Sequence, residues 1–150
     1  MILDQQNLFS DAQAITGSAN SSNVIDTLPV TTPNTKSGIG DGQDISLFAQ
    51  VGAAFAGGTS LQIQLVSADD AALTTNATVH YDTGALALAG LTARARLVSV
   101  DLPFGKYRRY VGLKYTVVGT MTAGTITAGL VEDVQTINGT TDYAKGFNVA

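Results

Sequence analysis

The chain has no cysteine, no tryptophan and one histidine, and only 13% of its 150 residues are charged. Each shortage removes a class of function. Without Cys there is no disulfide, thiolate nucleophile or Cys-ligated metal, so stability must come from the core or from oligomerisation. A single His cannot supply the several imidazole ligands of a cupin-type metal centre. Lys and Arg total eight against twelve acids, a net charge of −4, which argues against nucleic acid or an anionic membrane as a partner. No stretch approaches the roughly 20 apolar residues of a membrane span. The opening Met1-Ile2-Leu3-Asp4-Gln5 also lacks the basic region and apolar run of a signal peptide. A protein made in the cytoplasm and soluble there is expected.

What is present is 45% apolar residues, enough to build one core in a chain of single-domain length. The charged share is about half the usual value of about 25%, so Thr, Ser, Asn, Gln, Gly and Ala must cover the surface. Such a surface costs little to desolvate and suits a protein covered by partner subunits.

Residues 1–12 are expected to form an N-terminal arm or a short helix, with Leu3, Leu8 and Phe9 as apolar anchors. Ala14-Ile15-Thr16 and Asn23–Thr27 read as short strands around a turn at 17–22. Two of the three prolines fall in 28–44, which reads as a long loop. Beyond it, period-2 alternation is strong. Leu47, Ala49 and Val51 oppose Ser46, Phe48 and Gln50; Leu61, Ile63 and Leu65 oppose Gln62, Gln64 and Val66. Thr78 to Tyr81 is a further strand, and 85–90 a stretch of small residues. Over 91–100, Leu91, Ala93, Ala95 and Leu97 oppose Thr92, Arg94, Arg96 and Val98. Over 107–118, Tyr107, Arg109, Val111, Leu113, Tyr115 and Val117 oppose Arg108, Tyr110, Gly112, Lys114 and Thr116. After a turn at 119–124, a last strand runs from Thr125 to Gln135, and 136–150 is an irregular tail. These seven or eight strands, with no long amphipathic helix, predict a single all-β domain: an antiparallel jelly-roll sandwich with long loops.

Catalytic equipment is sparse. His80 lies at a strand end with no G-x-S-x-G or comparable motif, and reads as a partly exposed structural residue. Asp41 and Asp44 sit in a Gly-rich loop, where two carboxylates spaced by three could reach a hard cation, a minor alternative because they lack the EF-hand spacing. Asp69-Asp70 reads as turn or cap chemistry. Glu132 and Asp133 point to opposite faces of their strand. The glycines match no phosphate-binding loop. No catalytic, cofactor or metal site is therefore expected.

Charge is unevenly distributed. Arg94, Arg96, Lys106, Arg108, Arg109 and Lys114 are six of the eight basic residues, and Asp101 is the one acid between positions 94 and 114. This segment reads either as a solvated face with local salt bridges to Asp101 and the acidic loops, or as a docking patch in which Arg forks bind carboxylates. Arg and Tyr are enriched at interfaces, and Arg94, Arg96, Arg108, Arg109, Tyr110 and Lys114 are the contact candidates, with Leu3 and Phe9 from the N-terminal segment.

Two stretches resemble the Bbp16-type capsid cement proteins of tailed phages. One is Leu3-x5-Phe9-Ser10-Asp11-Ala12-Gln13-Ala14-Ile15-Thr16 with Asn23-Val24-Ile25-Asp26. The other is Arg109-Tyr110-Val111-Gly112-Leu113-Lys114-Tyr115-Thr116-Val117 with Thr122-Ala123-Gly124-x3-Ala128-Gly129-Leu130-Val131. Gly40-x-Gly42 and Leu61-x-Ile63-x-Leu65 fit between them in order, so the resemblance spans most of 1–135. It implies a non-catalytic jelly-roll subunit on the outer surface of an HK97-type capsid, bridging major capsid proteins and adding contacts that hold the shell against internal DNA pressure. Copies of itself are expected partners, a dimer ahead of a trimer. The rival reading is a ligand-binding virion module for carbohydrate or a host receptor, for which Tyr107, Tyr110 and Tyr115 would supply the aromatic surface.

Overall fold

Alternating apolar and polar residues build two antiparallel sheets that share one core. The computed structural model describes residues 3–27, 39, 45–102, 107–132 and 134. Twelve strands lie among them: β1 (Leu8–Ala14), β2 (Ala19–Asn20), β3 (Ile25–Asp26), β4 (Ile45–Val51), β5 (Ala56–Gly57), β6 (Ser60–Ala68), β7 (Thr78–Asp82), β8 (Leu86–Ala87), β9 (Arg96–Asp101), β10 (Tyr110–Val118), β11 (Met121–Ala123) and β12 (Thr125–Glu132). One sheet has the order β1-β12-β4-β9; the other runs β2-β10-β6-β7, with β3 also on β10 and β8 on β6. Every pairing is antiparallel. The fold is all-β, and the two interleaved orders are compatible with the jelly roll expected from the sequence.

The core joins the inner faces of both sheets. Leu47, Ala49 and Val51 of β4 and Ile126, Ala128 and Leu130 of β12 meet Leu61, Ile63 and Leu65 of β6 and Val111, Leu113 and Tyr115 of β10. These are the residues whose alternation marked them as one face. A second, smaller cluster lies on the outer face of β6, where Val66 and Ala68 pack with Leu73, Val24 and Tyr110. Gly112 makes room for it: a Cβ there would stand 2.6 Å from Val24 Cγ1 and 2.9 Å from Leu73 Cδ1.

Of the arm or short helix expected over 1–12, the described residues show a short helical turn followed by a strand. A 3-10 turn at Gln5–Asn7, capped by Asp4, leads into β1 at Leu8. Strand β1 breaks register twice against β12, and Ala12 adopts a φ of 45°. The first bulge turns Phe9 inward, so Phe9 is a core residue with no exposed surface rather than a surface anchor. The strand expected at Ala14–Thr16 is instead the end of β1, and the expected turn at 17–22 contains β2. The 119–124 turn likewise contains β11, paired with β5.

Residues 91–95 are not strand. Ala95 N–H donates to Thr92 O (3.0 Å), and Arg94 has a φ of 66°. This turn reverses the phase of alternation, so Val98 is the buried residue of β9 where Leu97 was expected. The expected loop at 28–44 and tail at 136–150 lie outside the described residues, Ile39 excepted.

Candidate functional site

Antiparallel pairing disperses the basic segment. Arg96 pairs with Gln50 near the end of β4, whereas Asp101 pairs with Ser46 near its start. From β9 the chain passes to β10, where Tyr110 pairs with Ala68, the last residue of β6. Arg94 and Arg96 thus stand at one end of the sandwich, and Arg108, Arg109 and Tyr110 at the other. Over the six residues of β9 that separation is on the order of 20 Å. Arg94 and Arg96 do not share a strand face either, since Arg94 belongs to the turn. Lys114 stands between the two ends, exposed on the outer face of β10 beside Asn20 and Gln64.

The group near Arg108 is saturated with local partners. Arg108 Nη1 bonds both carboxylate oxygens of Asp69 at 2.8 and 3.0 Å. Arg109 makes a bidentate pair with Asp26 at 2.9 and 2.8 Å, which raises the guanidinium pKa further. Its Cζ also lies 4.9 Å from the Tyr110 ring centroid. Asp101, an expected partner, instead accepts from Ser46 Oγ at 3.1 Å. Tyr110 is half-buried against the outer cluster, on the face opposite Tyr107 and Tyr115. Asp70 is turn chemistry, as expected: it accepts from the N–H groups of Thr74 (3.0 Å) and Thr75 (2.6 Å) and from Thr74 Oγ1 (2.7 Å). These bonds lower its pKa to about 2. Asp69 is lowered too, by the Asn76 amide first and then by Arg108. Leu3 is 42% exposed.

One arrangement escaped the sequence reading. His80 Nε2 lies 2.7 Å from Ser67 Oγ, and its ring stacks on Tyr107 with centroids 4.0 Å apart. A Ser–His pair at this distance has the geometry of an activated nucleophile. Here, however, Ser67 has no exposed surface and also accepts the Arg108 N–H at 3.0 Å. With its hydroxyl buried in this way, the pair anchors the entry to β10. Burial lowers the His80 pKa and raises that of Tyr107 to about 12. The available signal was Ser67 itself, a hydroxyl in phase with Leu61, Ile63 and Leu65 and therefore in need of a core partner.

Among the described residues, no three His, Cys, Asp or Glu side chains come together to hold a metal, and no helix is long and apolar enough to cross a membrane. Asp41 and Asp44, as well as Lys106, lie outside the described residues. No curated protein matches the chain. A family model described as Bbp16 matches residues 9–130, running from β1 nearly to the end of β12. The chain therefore belongs to the Bbp16 family, a phage-related family.

Proposed function

We propose that this protein is a non-catalytic cement, or decoration, subunit that binds the outer surface of an icosahedral phage capsid and bridges major capsid proteins. The observation that carries the reading is the family match across 9–130, together with the cement role that the resemblance of the two quoted stretches implies. A sparsely charged surface supports it, because neutral small side chains lose little on desolvation. Many copies on a lattice also gain by multivalency, so each contact can be modest.

The carbohydrate- or receptor-binding alternative requires exposed aromatic rings. Tyr107 and Tyr115 are 4% and 0% exposed, and Tyr110 carries Arg109 against its ring, which weighs against it. The test is co-sedimentation of the purified protein with shells assembled without it. Saturable binding that raises the temperature at which shells release DNA is expected; absence of binding to such shells overturns the proposal.

A further inference from the structure

We infer that the end of the sandwich carrying Arg94 is the docking surface, and that its partner is a protein surface presenting a carboxylate to that residue. This rests on the cement reading and specifies how the subunit would meet the shell. Pairing registers gather at this end the last residues of β1, β4 and β10 and the first residues of β6, β9 and β12. Their connections span 52–59, 83–95 and 119–124. No Asp or Glu occurs from 45 to 68, from 83 to 100 or from 102 to 131. Among the described residues, Arg94 and Arg96 are the basic groups at this end; the acid level with them, Asp11, stands on β1, the opposite edge of the four-stranded sheet from β9. Asp26, Asp69, Asp70, Asp101 and Glu132 stand at the other, as do Thr27, Ile45, Leu102 and Tyr107, which flank undescribed segments. Asp82, further along the outer face of the second sheet, is held by the side-chain amides of Gln62 and Gln64 and by the Gly84 N–H.

Arg94 is built to present its side chain. Its N–H donates to Val51 O (3.0 Å), its carbonyl accepts from Gln50 Nε2 (3.0 Å), and Ala95 O accepts from Val51 N–H (2.9 Å). The backbone is thus fixed at a φ of 66°, where glycine sits without strain. What Arg adds over Gly is an exposed guanidinium, for which no ion pair forms among the described residues. A carboxylate meeting Arg108 or Arg109 would have to displace Asp69 or Asp26; at Arg94 no carboxylate among the described residues stands in its way. Val118, 55% exposed at the same end, supplies apolar surface beside the charge. The planar fork of Arg suits a carboxylate, and the chain's overall negative charge disfavours a polyanion.

The test measures binding of the full-length chain to shells lacking it, across a salt series. Arg94→Gly removes the fork and relieves the turn, so it should fold with unchanged or higher Tm while binding falls about tenfold or more, with a shallower salt dependence. Arg94→Glu should fall further, and Lys114→Ala should bind as wild type. Equal binding by wild type, Arg94→Gly and Arg94→Glu overturns the inference and leaves the cement reading standing; failure of wild type to bind overturns both. Binding of wild type, but not Arg94→Gly, to duplex DNA would assign the guanidinium to phosphate and also overturn it.

Discussion

Ser10 and Ser67 are hydroxyls among buried hydrocarbon, and each is satisfied across a long sequence separation. Ser10 Oγ meets Tyr115 OH at 2.8 Å, joining an edge strand of one sheet to the centre of the other, and donates to Gln13 Oε1 at 2.7 Å. Ser10→Ala should therefore cost more than Tyr115→Phe in chemical denaturation. The first orphans a fully buried phenol, a loss of about 1–3 kcal/mol, whereas the second leaves Ser10 bonded to Gln13. His80 predicts a pH dependence. Burial depresses its folded pKa below the unfolded value of 6.5, so the unfolded chain binds more protons as pH falls through that value, and stability declines from pH 7 to 5. Thermal melts should show this slope in wild type and not in His80→Gln. The lowered pKa values of Asp69, Asp70 and Asp82 act in a separate window. Their contribution is present above about pH 4 and lost below it, for Asp70 as pH falls towards about 2.

Strand β10 is the element on which both clusters depend, with Val111, Leu113 and Tyr115 facing the main core and Tyr110 the outer one. Gly112→Ala should cost about 1–3 kcal/mol, because a methyl enters space held by Val24 and Leu73. Leu73→Ala, which empties the outer cluster from the other side, should cost about 2–5 kcal/mol; urea titration reads both. The strands legible in advance, β4, β6, β10 and β12, are those in which a buried face enforces period 2. At 91–95 the Ala-Arg-Ala run repeats that period without the branched or aromatic residues that favour strand, and the chain turns instead. The pairing of β5 with β11 was hidden because two or three residues carry no period at all. The outer cluster was hidden because Val24 and Leu73 reach Val66 from separate loops. The basic segment was read correctly as a concentration of charge but not as a patch. Residues close in sequence along an extended strand are carried to opposite ends of the fold.

At the scale of the whole molecule, charge among the described residues is unevenly placed: the Arg108–Asp69 and Arg109–Asp26 pairs and most of the acids stand at one end, and Arg94 and Arg96 at the other, with Asp11 across the sheet from them. If the subunit is cement, particles made without it should still assemble and package DNA. They should open at lower temperature, which dye-accessibility melts of the genome would detect. The shape of β1 bears on how such a protein is stored before use. Its two register breaks and the left-handed Ala12 spoil the straight row of backbone donors and acceptors that another strand would need for pairing. A surface so short of repelling charge would otherwise invite edge-to-edge growth. A crooked edge works against that growth without closing the other surfaces through which copies could meet.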